Sequence, residues 1–83
     1  MQQFEFHAYH GDEGGSVASQ AVITTEPLRS DSAAKSKAGR LAKAINGPVD
    51  LAYAGGAEWD ERYITTASPS EFHASGYRFE RLV

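Results

Sequence analysis

The chain begins with alternating apolar and polar residues, the pattern of a half-buried strand. Phe4, Phe6 and Ala8 fall on one face, and the residues between them, which include a glutamate and a histidine, fall on the other. The stretch HGDEGGS, residues 10–16, breaks the alternation with three glycines and two acids. Because glycine readily adopts the positive φ angles of tight turns, this stretch predicts a hairpin loop.

A second strand is predicted from the stretch SVASQAVITT, residues 16–25, which ends in four successive strand-forming residues, VITT. Its register against the first strand follows from keeping apolar side chains on one face of the sheet. We therefore expect Phe4 to face Ile23 and Phe6 to face Ala21.

A helix is predicted between Ser30 and Asn46. Ser30 is a suitable N-cap, and the run Asn46-Gly47-Pro48 supplies a left-handed residue followed by a stop. The apolar positions between these ends recur at helical spacing and are Ala34, Ala38, Leu41 and Ile45. Small alanines on this stripe indicate a helix lying close against a sheet. The same close approach would account for Gly39, since glycine costs about 1 kcal/mol relative to alanine in a helix interior.

Three further strands are predicted in the second half of the chain, over Val49–Ala54, Glu58–Thr66 and Gly76–Leu82. The element order is therefore ββαβββ, and the short connections favour antiparallel pairing. The sequence thus predicts a single compact α+β domain over residues 1–83. Its antiparallel sheet has about five strands, with one helix packed on one face.

The stretch GGAEWDERY, residues 55–63, predicts a tight hairpin between the third and fourth strands. A three-residue loop over residues 55–57 brings apolar residues together and leaves one ion pair. The resulting cross-strand pairs are Tyr53 with Trp59, Val49 with Tyr63, and Asp50 with Arg62. In this register Trp59 and Tyr63 face the helix as core residues. The alternative for Trp59 is a binding residue, because exposed tryptophans dominate many interfaces.

The composition adds two constraints. With 83 residues and 41% apolar content the chain has room for one small core, and it has no cysteine for a disulfide or a thiolate metal site. No apolar stretch approaches the roughly 18–20 residues that cross a bilayer, and the N-terminus does not have the pattern of a signal peptide. We therefore expect a soluble, cytoplasmic protein.

The net charge of −3 is unevenly distributed. Residues 31–46 carry four cations and one anion, whereas the rest of the chain carries four cations and ten anions. A basic helix thus adjoins an acidic remainder, which could complement a basic groove on another protein. The acids expected to contact a partner are Asp12, Glu13, Asp50, Glu58, Asp60 and Glu80. The cations that support the alternative, a small nucleic-acid-binding module, are Lys35, Lys37, Arg40 and Lys43.

Catalytic and metal-binding motifs give only weak signals. His7, His10 and Asp12 are of ligand type, but the two histidines point to opposite faces of a strand and no second cluster completes a site. There is no G-x-S-x-G stretch and no cysteine nucleophile. We expect a protein that is not an enzyme and that binds no metal and no cofactor.

Two stretches carry a resemblance to a known class of proteins. The helix SDSAAKSKAGRLAKAI, residues 30–45, and the final strand GYRFERL, residues 76–82, resemble those of small anti-CRISPR proteins encoded by phages and mobile elements. The resemblance implies a stoichiometric inhibitor, acting in a bacterial host cell without a cofactor. It would bind the crRNA-guided surveillance complex (Cascade) of a type I CRISPR system and block its engagement of target DNA. A phage structural or assembly protein is a further alternative.

Overall fold

The computed structural model describes residues 1–9 and 21–81. Its elements are β1 (Gln2–Tyr9), β2 (Ala21–Leu28), α1 (Asp31–Ile45), β3 (Val49–Tyr53), α2 (Trp59–Arg62), β4 (Tyr63–Pro69) and β5 (Tyr77–Glu80). The predicted order ββαβββ is confirmed, with the one-turn helix α2 as an addition. The predicted loop over residues 10–16 and the start of the second predicted strand lie outside the described residues.

The five strands form one antiparallel sheet in the order β2-β1-β3-β4-β5. Helix α1 packs on one face of this sheet, which confirms the α+β class. The helix lies mainly over β3, β4 and β5 and has little contact with β2. One edge of the sheet therefore extends beyond the helix layer.

The core lies between α1 and the sheet, and the two layers contribute side chains of different size. The largest apolar side chains that are fully buried come from the strands and are Phe4, Phe6, Val49 and Leu51. The helix contributes the buried alanines Ala34, Ala38 and Ala42, while Leu41 and Ile45 of the predicted stripe are partly buried at its margin. The strands thus supply most of the core volume, and the small residues of α1 allow the helix to pack close to the sheet.

The ends of α1 agree with the sequence prediction. The Ser30 hydroxyl accepts a hydrogen bond from the Ala33 amide at 3.1 Å, as an N-cap does. Asn46 has the left-handed conformation, with φ of 57°, and the Gly47 amide donates to the Ala42 carbonyl at 3.1 Å. Both ends of the helix are therefore set by local hydrogen bonds.

Gly39 lies where α1 crosses β5. A Cβ atom at this position would stand 2.3 Å from Cε1 of Tyr77, well inside van der Waals contact. We expect Gly39→Ala to lower the free energy of unfolding by about 1–3 kcal/mol, the usual effect of overpacking. In a Tyr77→Ala background the same change should instead stabilise the protein by about 1 kcal/mol, because only the helix propensity remains. Urea denaturation of the four proteins of this cycle tests the sign reversal. Destabilisation that persists without Tyr77 would contradict the explanation.

The predicted register of β2 is wrong. Phe4 lies opposite Glu26 rather than Ile23, and Phe6 lies opposite Thr24 rather than Ala21. Ile23 pairs with His7, so it lies on the face away from α1 and is 55% exposed. The predicted register assumed that α1 covers β2 and buries one face of this strand. Because α1 hardly reaches this strand, burial does not select its register.

The predicted antiparallel pairing of β3 with β4 is confirmed, but the predicted three-residue loop and the register are wrong. Residues 59–62 form the helical turn α2, in which the Glu61 and Arg62 amides donate to the Glu58 carbonyl at 2.9 and 3.2 Å. The observed Cα partners are Val49 with Ala67, Asp50 with Thr66, Leu51 with Thr65, and Ala52 with Tyr63. None of the three predicted pairs forms. Glutamate and arginine favour helix over strand, and the inserted turn displaces the whole of β4.

Candidate functional site

The sheet face that α1 does not cover, which we call the far face, carries Glu5, His7, Asp50 and Thr66. These residues lie on one side because alternate positions of β1, β3 and β4 share a face and because His7 pairs with Asp50, and Asp50 with Thr66. Helix α2 lies at one end of this face and adds Trp59 to it.

Trp59 is partly buried on the far face and is surrounded by aromatic and cationic groups. Its ring centroid lies 4.9 Å from that of His7, with the rings at 63°, and 5.7 Å from that of Tyr63. The Arg62 guanidinium carbon lies 5.4 Å from the tryptophan ring centroid. The prediction that Trp59 and Tyr63 pack against the helix is thus wrong, because the turn α2 moves Trp59 to the opposite side of the sheet.

Arg62 ties α2 to the sheet through three acceptors. Its Nη1 donates to Oε1 of Glu5 at 2.9 Å and to the Tyr53 carbonyl at 3.1 Å, and its Nε donates to the Ala57 carbonyl at 2.9 Å. These contacts join the end of β3, the loop that follows it and strand β1. Arg62 therefore fixes the position of α2, instead of pairing with Asp50 as the sequence indicated.

Glu5 is the acceptor at the centre of this group. Its Oε1 lies 2.9 Å from both Nε2 of His7 and Nη1 of Arg62, and its side chain is 20% exposed. The pKa of Glu5 lies below its usual value. The hydrogen bond with His7 has the largest effect, and together with the Arg62 interactions it outweighs the opposing effect of burial. The Glu5 carboxylate thus contacts both His7 and Arg62, and these two side chains pack against Trp59.

A second hydrogen-bonded group includes Asp50, one of the predicted contact residues. The Thr66 hydroxyl donates to Oδ1 of Asp50 at 2.6 Å, and the Tyr63 hydroxyl lies 2.7 Å from the same threonine oxygen. Tyr63 and Thr66 are buried. Asp50 is only half-exposed, so its carboxylate contributes to the structure of the sheet as well as to its charge.

The predicted acidic contact residues separate into different places. Glu58 and Asp60 lie together on or beside α2 and are exposed, as is their neighbour Glu61. We call these three residues the acidic turn. Glu80 lies on β5 and forms an ion pair with Arg78. Asp12 and Glu13 lie outside the described residues.

The cations of α1 are on the other side of the molecule. Lys37 forms an ion pair with Glu26 at 3.0 Å and stands 5.8 Å from the centroid of the Phe6 ring. Lys35 is partly buried, whereas Arg40 and Lys43 are exposed. One of the four cations is therefore already paired with an acid. The helix offers less free positive charge than the sequence indicates.

Within residues 1–9 and 21–81, no group of three or more metal-ligating side chains comes together. His10 and Asp12, which the sequence offered as ligands, fall outside these ranges. The same described ranges contain no helix long and apolar enough to cross a membrane.

Sequence reasoning missed the group formed by Glu5, His7, Trp59 and Arg62. These residues come from β1 and from α2, which are 50 positions or more apart in the chain. The signal that could have located them is the pair of good helix formers Glu61 and Arg62, which follows shortly after a glycine-containing loop. A helical turn there would have placed Trp59 and Arg62 over the sheet.

Comparisons with known proteins add no relative. No protein-family model matches the chain, and neither the curated proteins nor the solved structures yield a significant match.

Proposed function

We propose that this protein is a stoichiometric, non-enzymatic inhibitor that binds a basic surface of a larger protein assembly through the acidic turn and Trp59. The observation that carries the proposal is the position of three exposed carboxylates around a partly buried tryptophan, on the sheet face that α1 does not cover. Tryptophan and arginine are the residues most enriched at the energetic centres of interfaces. Charges at the rim mainly raise the association rate and select the partner.

The acidic turn is held in place before any partner binds. Arg62 fixes α2 through Glu5 and through two backbone carbonyls, and Trp59 packs against His7. A binding surface that is already ordered loses less conformational entropy on association. This rigidity supports a role as a tight binder rather than as a loosely charged surface.

The partner that suits this surface is a protein groove that normally receives nucleic acid, since such grooves are lined by lysine and arginine. The resemblance to anti-CRISPR proteins makes the crRNA-guided surveillance complex of a type I CRISPR system the first candidate. In that complex the inhibitor would cover a DNA-binding surface and prevent target DNA from engaging.

Charge reversal in the acidic turn tests the proposal. We expect Asp60→Lys, and more strongly Glu58→Lys with Asp60→Lys, to weaken binding to a purified type I surveillance complex by about tenfold or more, mainly through a slower association rate. Surface plasmon resonance at two salt concentrations measures this, together with a target-DNA binding assay. The affinity of the unaltered protein should fall as salt rises.

The matched control is Glu71→Lys, which makes the same charge change at an exposed position in the loop between β4 and β5. It should alter affinity by no more than about twofold, as expected for a charge outside the interface. If the acidic-turn variants fold normally and inhibit as well as the unaltered protein, the acidic turn is not the binding surface. If the complex binds none of these proteins, the surveillance complex is not the target.

A further inference from the structure

Strand β2 is an unusual sheet edge. It is eight residues long, and no described strand pairs with its outer side. Val22 and Ile23 are 51% and 55% exposed, and two threonines follow them. Natural edges are commonly protected by charge, proline or a bulge. Glu26 and Pro27 give such protection to the C-terminal end of β2, but residues 22–25 have none of these features. Such an edge is suited to pairing with another strand.

An apolar groove of about 350 Å³ runs along the inner side of this edge. Val22 and Thr24 form one wall and Leu41 and Ile45 of α1 form the other, while the Lys37–Glu26 ion pair stands at one end. The groove exists because α1 is centred over β3 and β4 and leaves β2 uncovered. Apolar side chains on both walls thus remain in contact with water.

We propose that a second copy of this chain pairs with β2, joining two sheets into one of ten strands around a two-fold axis at Ile23. In this antiparallel register Ile23 opposes Ile23 of the second copy, and Val22 opposes Thr24 of the second copy. Both pairs keep each side chain on its own face, and both join β-branched residues, which pack well across strands. An axis at Thr24 would instead set Val22 against Glu26, which is unfavourable.

The strand edge favours a second copy because an extended strand can pair with its row of outward amide and carbonyl groups. The β2 strand of a second copy is such a strand, and its apolar residues fall at matching positions. A specific interface needs at least about 1,000 Å² of buried surface in total. The two-fold arrangement extends the contact beyond the strands, because the two grooves meet and Leu41 and Ile45 of each copy border the joint. The contact is isologous and closes as a dimer.

The first test is the mass of the full-length protein in solution. Sedimentation equilibrium over about a hundredfold range of concentration should show conversion from the 9.0 kDa monomer to twice that mass. Ile23→Lys should shift the dissociation constant upward by about a hundredfold, because it places like charges opposite each other on paired strands. Phe72→Lys is the control, since Phe72 is 89% exposed in the loop between β4 and β5 and lies far from β2. It should leave the dimer intact.

The second test uses the absence of cysteine from the chain. Ile23→Cys should form an intermolecular disulfide under mild oxidation, because the proposed axis places the two residues opposite each other. Phe72→Cys should remain reduced for much longer at the same concentration. Circular dichroism of each variant confirms folding. An unaltered chain that stays monomeric, a dimer indifferent to Ile23→Lys, or equal oxidation of the two cysteine variants would overturn the proposal.

Discussion

Phe6→Ala is expected to lower the free energy of unfolding by about 3–5 kcal/mol, a large part of the roughly 5–15 kcal/mol that stabilises a typical domain. Phe6 is fully buried and belongs to the short list of large side chains that fill this core. The opposing layer consists of Ala34, Ala38 and Ala42. Alanines cannot extend into the vacated space, so a cavity remains unless the whole helix moves, and either result is costly.

Urea denaturation followed by circular dichroism measures this loss, with the slope of the transition as a check that unfolding stays two-state. Phe72→Ala is the matched control, because it deletes the same atoms from a side chain that is 89% exposed. Its effect should stay within about 0.5 kcal/mol. Equal effects of the two substitutions would mean that Phe6 is not part of a packed core.

The division of the sheet into two faces explains where the sequence was a reliable guide. Phe4, Phe6 and Ala8 alternate along β1, and the structure buries all three against α1. The caps at Ser30 and Asn46 and the alanine stripe predicted the helix and its close approach, because these signals depend on local chemistry. Local signals of this kind do not depend on how the rest of the chain folds.

Register and the candidate site could not be predicted in the same way. The register of β2 depends on how far α1 reaches across the sheet, and the sequence of β2 does not contain that distance. The position of Trp59 depends on whether WDER continues a strand or forms a turn of helix. A helical turn of this length gains little stability alone, and here it is held by Arg62 contacts with Glu5 and Tyr53, which only the folded chain supplies.

The same structure separates the charges that the sequence could only count. The acidic turn lies at the far face, whereas Arg40 and Lys43 lie on α1, on the other side of the sheet. A basic partner that contacts the acidic turn is therefore not repelled at close range by Arg40 and Lys43. The net charge of −3 therefore does not describe how the charges are distributed between the two sides of the sheet.

Trp59→Ala is expected to weaken partner binding by about 30-fold to 1,000-fold, corresponding to the 2–4 kcal/mol that a central aromatic anchor contributes. The fold should survive, because Trp59 packs against His7, Tyr63 and Arg62 outside the α1 core. Its removal leaves the ion pair of Arg62 with Glu5 in place, although more exposed to water. We therefore expect a loss of only about 1–2 kcal/mol in the free energy of unfolding.

The comparison with Phe79→Ala separates an anchor from a general loss of apolar surface. Phe79 is 42% exposed, lies opposite Ala67 and so belongs to the α1 side of the sheet. Its truncation should leave partner affinity within about twofold, as expected outside an interface. Calorimetric titration of the partner with both variants, alongside their urea denaturation curves, gives binding and stability separately. A Trp59→Ala protein that binds normally would remove the far face from the proposed interface. If the Trp59→Ala protein unfolds, binding and stability are lost together. Trp59 is then a residue needed for folding and not a binding anchor.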